Sequence, residues 1–171
     1  MKLGVICDGI SRDLSHALKV MDEFGLDYAE LQFVWDKEVG DHDASEIAQI
    51  KELLDIHNKP VSCLSRHIFA GLTTASKAGD KDHTRHMDSL KCVIEMAHQL
   101  DCPLVRIMTS KKEQILWGTN GAEHWNVAKG AWDTLPPLIA PAVDLARTEG
   151  VTLVVETCLL YTSDAADDVY C

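Results

Sequence analysis

A chain of 171 residues is long enough to bury one ordinary core, and its 46% hydrophobic content is that of a globular domain. The formal net charge of −11 argues against a broad nucleic-acid surface, which needs clustered Lys and Arg, but leaves room for one local cationic pocket able to take a sugar phosphate. No apolar run approaches the roughly 20 residues of a membrane helix, the apolar stretch before Asp8 is too short for a secretory signal, and the Cys at 7, 63, 92, 102, 158 and 171 form no CxxC pair; a cytoplasmic protein with free thiols and no membrane partner is expected.

Short apolar runs alternate with amphipathic stretches along the chain. Residues 2–7 read as a first strand, bounded by Asp8-Gly9. Leu14, Ala17, Leu18, Met21 and Phe24 then recur at helical spacing, and Gly25 can end that helix in the left-handed conformation. Residues 28–34 read as a second strand, followed by a polar loop through Asp36, Lys37, Glu38 and Gly40. Ile47, Ile50 and Leu54 mark the next helix, with Ser45 near its start and Asn58 and Pro60 stopping it.

Residues 61–65 form the third strand, leading into His67-Ile68-Phe69 and a loop of small residues over 71–79. Met87, Leu90, Val93, Ile94 and Ala97 then make one apolar helix stripe, opposite Arg85, Asp88, Lys91 and Glu95. Cys102-Pro103 turns the chain into a fourth strand over 104–108, and a longer loop over 109–124 turns at 118–121. A fourth helix is expected over about 126–149; Pro136, Pro137 and Pro141 each remove a backbone donor, so a kink or two shorter helices are expected there. Gly150 caps it, and residues 151–155 form a fifth strand ending in Glu156.

Strands that are apolar on both sides, alternating with amphipathic helices, imply a parallel sheet covered by helices. Right-handed βα units in series leave an open doubly wound sheet or a closed barrel. Asp8-Gly9-Ile10-Ser11 after the first strand matches neither GxGxxG nor GxxxxGK[ST], which favours the barrel.

In such a barrel the reacting groups sit at the C-terminal ends of the strands. Those ends are Asp8; Glu30, Gln32 and Trp35; Arg66 and His67; Thr109, Ser110 and Lys111; and Glu156. Glu156 ends a run of apolar residues, and a carboxylate there needs a partner or a metal, so it is a candidate metal ligand and catalytic group as well as a candidate salt-bridge residue. His67 is a candidate for proton transfer, metal binding or contact with a substrate oxygen, its ordinary role being structural. Arg66 can hold a phosphate or carboxylate through its planar fork, or lie on the surface. Glu30 either lines the barrel mouth or pairs with a neighbour such as Arg106. Trp35, Phe69 and Trp117 lie in loops, where aromatics wall a sugar site or simply pack. His83 and His86, one helical turn apart without an acidic partner pattern, are expected on a solvated helix surface.

After Thr157 the pattern changes. Cys158-Leu159-Leu160-Tyr161-Thr162-Ser163-Asp164-Ala165-Ala166-Asp167-Asp168 resembles the translation of a sequencing-library adaptor, so 158–171 is expected to be a non-native tail and 1–157 the domain.

Gly25-Leu26-Asp27-Tyr28-Ala29-Glu30-Leu31 resembles the second strand of the xylose-isomerase-like sugar phosphate isomerase/epimerase superfamily, and Glu149-Gly150-Val151-Thr152-Leu153-Val154-Val155-Glu156 resembles its fifth. The resemblance implies an α/β fold, the (β/α)8 TIM barrel, truncated here after its fifth strand. It implies a divalent metal ion (Mn, Mg, Co or Zn) in the full-length protein, with Glu156 as a ligand and the remaining ligands on later strands. It implies isomerisation or epimerisation of a small sugar, sugar phosphate or related polyol, in which Glu156 also moves a proton at a carbon next to a carbonyl. His67 matches a third-strand histidine of some members. Glu30, Trp35, Arg66 and Phe69 would then contact substrate.

An inosose-type dehydratase of the same superfamily would share this first half. An endonuclease-IV-like DNA-repair nuclease would use His67 but also a fourth-strand histidine, where this chain has Met108-Thr109-Ser110, and its DNA partner conflicts with the acidic charge. A non-catalytic barrel-derived binding protein is the third alternative. Five strands cannot close an eight-stranded barrel, so unpaired edges are expected, with a chain that is marginal, aggregates, or pairs with a second copy as a homo-oligomer.

Overall fold

The computed structural model describes residues 1–73, 75–108 and 131–156. Five strands, β1 (Gly4–Ile6), β2 (Tyr28–Leu31), β5 (Val61–Ser65), β6 (Leu104–Met108) and β7 (Thr152–Glu156), form one sheet in the order β1-β2-β5-β6-β7, with every pairing parallel. Each new strand adds on the same side of the last. A doubly wound sheet reverses its strand order at a switch point, and no reversal occurs among these five strands, so the open alternative is excluded and the barrel winding stands.

The helices form where the apolar stripes place them. In α1 (Leu14–Glu23), Asp13 caps the start by accepting from the backbone N–H groups of Ser15 and His16, and Leu14, Ala17, Leu18 and Met21 are buried. The chain leaves α1 through Gly25 at φ 64°. For α2 (Ala44–Ile56), Asp43 is the cap; its side chain and that of Glu46 bond each other's backbone in a capping box. The longer α3 (Lys81–Gln99) buries Leu90, Val93, Ile94, Met96 and Ala97.

The expected break in the fourth helix is absent: α4 (Ala131–Glu149) is one helix with Pro136, Pro137 and Pro141 inside it. All three prolines are exposed, whereas Leu138, Ala142 and Ala146, spaced four apart, are buried. The carbonyls freed by the missing N–H groups thus fall on the side where water can bond them.

The second strand is shorter than its sequence pattern. After Leu31 the chain leaves the sheet, and β3 (Phe33–Val34) pairs antiparallel with β4 (Lys37–Glu38) in a separate hairpin. The polar loop expected at Lys37 and Glu38 is thus half of a ribbon. Its turn runs through Trp35 at φ 55°, whose N–H donates to the Arg12 carbonyl at 2.6 Å. The usual Asn-Gly or Asp-Gly signal is missing, which is why the turn was not legible.

Gly40 closes the hairpin against α3. It sits at φ 90°, and a Cβ there would lie 2.8 Å from Val93 Cγ2 and 3.2 Å from Arg66 Nη1. Gly40→Ala therefore combines a left-handed backbone with a contact that cannot be made, and is expected to cost about 1–3 kcal/mol in urea unfolding. A loss within ~0.5 kcal/mol would mean that the hairpin is not pressed onto α3 in solution.

Cys7, Cys63, Cys92 and Cys102 are free, and only Cys92 of these is exposed. Burial pushes the Cys7 thiol up to about 12 and that of Cys63 up to about 11, so neither is a thiolate nucleophile near neutral pH. Among the described residues no helix is long and apolar enough to cross a membrane.

Candidate active site at the strand C-termini

Parallel pairing puts partnered residues on the same face of a sheet, and alternation does the rest. Leu31, Leu64 and Val105 are in register across β2, β5 and β6, and all three are 0% exposed under the helices. Ser65 pairs with Arg106, Arg106 with Val154 and Met108 with Glu156, so Ser65, Arg106 and Glu156 share the other face, the inside of a barrel. Glu30 joins them through an irregularity: between Ala29 and Glu30 the register with β5 shifts, setting Glu30 opposite Cys63.

The result is two bonded pairs side by side. The Ser65 hydroxyl donates to Glu30 Oε1, and Arg106 Nη1 donates to Glu156 Oε2. Arg106 is buried at 9% exposure, while the Glu156 side chain keeps 29%. Arg106 Nε is buried without a partner among the described residues. Glu30 thus lies on the barrel face, as one expectation had it, but its partner is Ser65; Arg106, the partner considered for it, belongs to Glu156.

A second cluster gathers where β5 ends. His67 Nδ1 lies 2.7 Å from Glu38 Oε1, and the His67 backbone N–H donates to the same oxygen at 3.0 Å. Gln32 Nε2 approaches His67 Nε2 at 3.1 Å. Arg66 donates through Nη1 and Nη2 to the two oxygens of Asp41 at 2.8 and 3.1 Å and through Nη1 to the Val39 carbonyl at 2.6 Å, and its Nε lies 3.4 Å from Glu38. With its fork engaged on all sides, Arg66 is a brace between β5 and the hairpin, and no edge of its guanidinium faces outward to take a phosphate.

Phe69 does not wall the mouth. It is 2% exposed, at φ 69°, stacked on His83 with ring centroids 5.7 Å apart and edge-on to His86 at 5.9 Å. Those two histidines are correspondingly not a solvated surface. His83 is buried, its Nδ1 accepting from the Gly79 N–H at 3.1 Å while Nε2 meets the Leu138 carbonyl at 2.8 Å, which ties the 71–79 loop to α4. His86 Nδ1 accepts from the Phe69 N–H at 3.1 Å, and burial lowers its pKa. Trp35 is half-buried on the hairpin turn, edge-on to His42 at 6.0 Å. Asp8 accepts from the Phe33 N–H at 3.3 Å. Thr109, Ser110, Lys111, Trp117 and the 158–171 tail lie outside the described residues.

Glu38, Asp41 and Ser65 had no functional signal in the sequence. Glu38 sits in what reads as a solvent loop, and only the hairpin carries it back to His67. Ser65, a fully buried hydroxyl at a strand end, is the one whose position could have raised the question.

Residues 18–169 match the family model of the xylose isomerase-like TIM barrel. The chain belongs to that family. No curated protein matches it by sequence. Among solved structures, this xylose isomerase-like chain is similar to the IOLI protein with a bound zinc atom, at 18% identity and TM-score 0.57 over 92% of this chain and 51% of that one. It is similar to a family 2 AP endonuclease from Brucella melitensis, at 15% identity and TM-score 0.57 over 91% and 55%, and to D-psicose 3-epimerase in the presence of D-fructose, at 12% and 0.58 over 96% and 55%. The chain therefore spans about half the length of these proteins. At such identities the likeness is one of fold.

No group of three or more His, Cys, Asp and Glu side chains able to hold a metal ion occurs among the described residues. Glu156, the candidate ligand, is already engaged by the Arg106 guanidinium, and Glu30 and His67 are bonded to Ser65 and Glu38. The described residues therefore do not by themselves fit a metal ion.

Proposed function

We propose that this xylose isomerase-like chain is the N-terminal part of an isomerase or epimerase of a small sugar, sugar phosphate or related polyol, working by proton transfer at a carbon next to a carbonyl. The observation that carries the proposal is the position of Glu156: a part-exposed carboxylate at the C-terminal end of β7, on the barrel face, beside Arg106. A carboxylate so placed can take up and return a proton, and the guanidinium beside it limits the motion of its Oε2. Glu30, bonded to Ser65, and His67, reachable by solvent with 46% of its side chain exposed, supply polar contacts for hydroxyl groups on the same side of the sheet end.

A divalent ion taking Glu156 as one ligand would polarise substrate oxygens, and its remaining ligands would come from outside the described residues. Residues 1–157 are proposed as barrel and 158–171 as a foreign tail, although the family match runs on to residue 169. The acidic mouth, with Asp8, Glu30, Glu38, Asp41 and Glu156 and with Arg66 and Arg106 both paired, favours a small polyol over a DNA backbone.

The test is solvent-deuterium exchange by the intact gene product on a panel of ketoses, ketose phosphates and cyclic polyols. Deuterium should wash into the carbon next to the carbonyl of one of them, and Glu156→Gln should lower that rate by about 10²–10⁴. Exchange that persists at the full rate in the variant would remove Glu156 from the chemistry, and no exchange with any substrate would overturn the isomerase assignment.

A further inference from the structure

The His67 ring meets a group whose hydrogen-bonding role is fixed. A carboxylate only accepts, so Nδ1, 2.7 Å from Glu38 Oε1, carries a proton. The Gln32 amide nitrogen lies 3.1 Å from Nε2 and 3.5 Å from Nδ1, so it sits beside both ring nitrogens and not along the in-plane lone pair of Nε2. In a neutral ring the Glu38 contact requires the Nδ1–H tautomer, which leaves the lone pair on Nε2. Without it, no other described group would select that tautomer.

Glu38 is itself immobilised. Its side chain is 18% exposed, Oε1 receives the His67 N–H as well as the ring, and Oε2 lies 3.4 Å from Arg66 Nε. Arg66 is anchored in turn on Asp41 and on the Val39 carbonyl. The β3–β4 hairpin, pressed onto α3 at Gly40, thus delivers a rigid carboxylate to one edge of an imidazole whose side chain is 46% exposed.

We propose that Glu38 is a positioning residue for His67: it locks the ring as the Nδ1–H tautomer, so that Nε2 is a hydrogen-bond and proton acceptor for a hydroxyl donor. A substrate hydroxyl can donate to Nε2 without changing the tautomer. The identity of the donor as a polyol hydroxyl rests on the isomerase proposal; the tautomer and its cause do not.

The test is a long-range ¹H–¹⁵N correlation spectrum of the ¹⁵N-labelled 171-residue chain, recorded well above the ordinary imidazole pKa of about 6.5, with His67→Gln used to assign the ring. The wild type should show a pyrrole-type Nδ1 and a pyridine-type Nε2. Glu38→Ala should lose that pattern in favour of the Nε2–H form or a mixture, and Glu38→Gln, which keeps an acceptor oxygen, should restore it. A wild-type ring protonated on Nε2, or a pattern unchanged in Glu38→Ala, overturns the proposal. If Glu38→Ala does not fold, the wild-type spectrum still decides. A failure of the exchange assay would leave this spectrum as expected, so the two ideas fail separately.

Discussion

Leu64→Ala is expected to lower the unfolding free energy by about 2–5 kcal/mol, the usual range for a buried leucine whose site cannot collapse. Leu64 lies in β5, the middle strand of the five, with Leu31 and Val105 in register on either side. It is 0% exposed and belongs to the core under the helices. Neighbouring strands are fixed by their ladders, so they cannot move in to fill the space left by three carbons and the cavity persists. Urea unfolding followed by circular dichroism reads the loss directly. Ser62→Ala, in the same strand but half-buried, with its hydroxyl donating to the Ala29 carbonyl at 3.2 Å, is expected to cost about 0.5–1.5 kcal/mol. Equal losses at the two positions would contradict the burial of Leu64 in the core.

Arg106→Met is expected to cost about 2–3 kcal/mol, whereas the double change Arg106→Met with Glu156→Gln should lie within ~1 kcal/mol of the parent. Removing one member of a shielded ion pair strands the other charge; removing both does not. The single loss falls toward the low end for buried pairs because the Glu156 side chain is 29% exposed and regains some water. Arg106 also leaves Nε without a partner, so the pair is not an optimised stabilising device. A double-mutant cycle on the same unfolding curves isolates the coupling, and a value near zero would mean the two side chains do not meet in solution.

The sequence by itself determined the elements whose periodicity is local. Val61–Ser65 and Leu104–Met108 are strands with the bounds their apolar runs predict, α3 buries the stripe read from Leu90, Val93, Ile94 and Ala97, and Gly25 and Gly150 both sit in the left-handed region after their helices. It also favoured the barrel winding, because strand and helix alternate without a phosphate loop, and the strand order then excluded the open sheet. Each of these follows from burial of one face or from backbone sterics within a few residues. Tertiary structure alone decided the rest. Glu30 meets Ser65 because of a register shift, Arg106 meets Glu156 across 50 residues, Glu38 reaches His67 across 29, and Phe69 and His83 turn inward together. Such meetings depend on strand register and on where a hairpin folds back, and no periodicity within one segment carries that information.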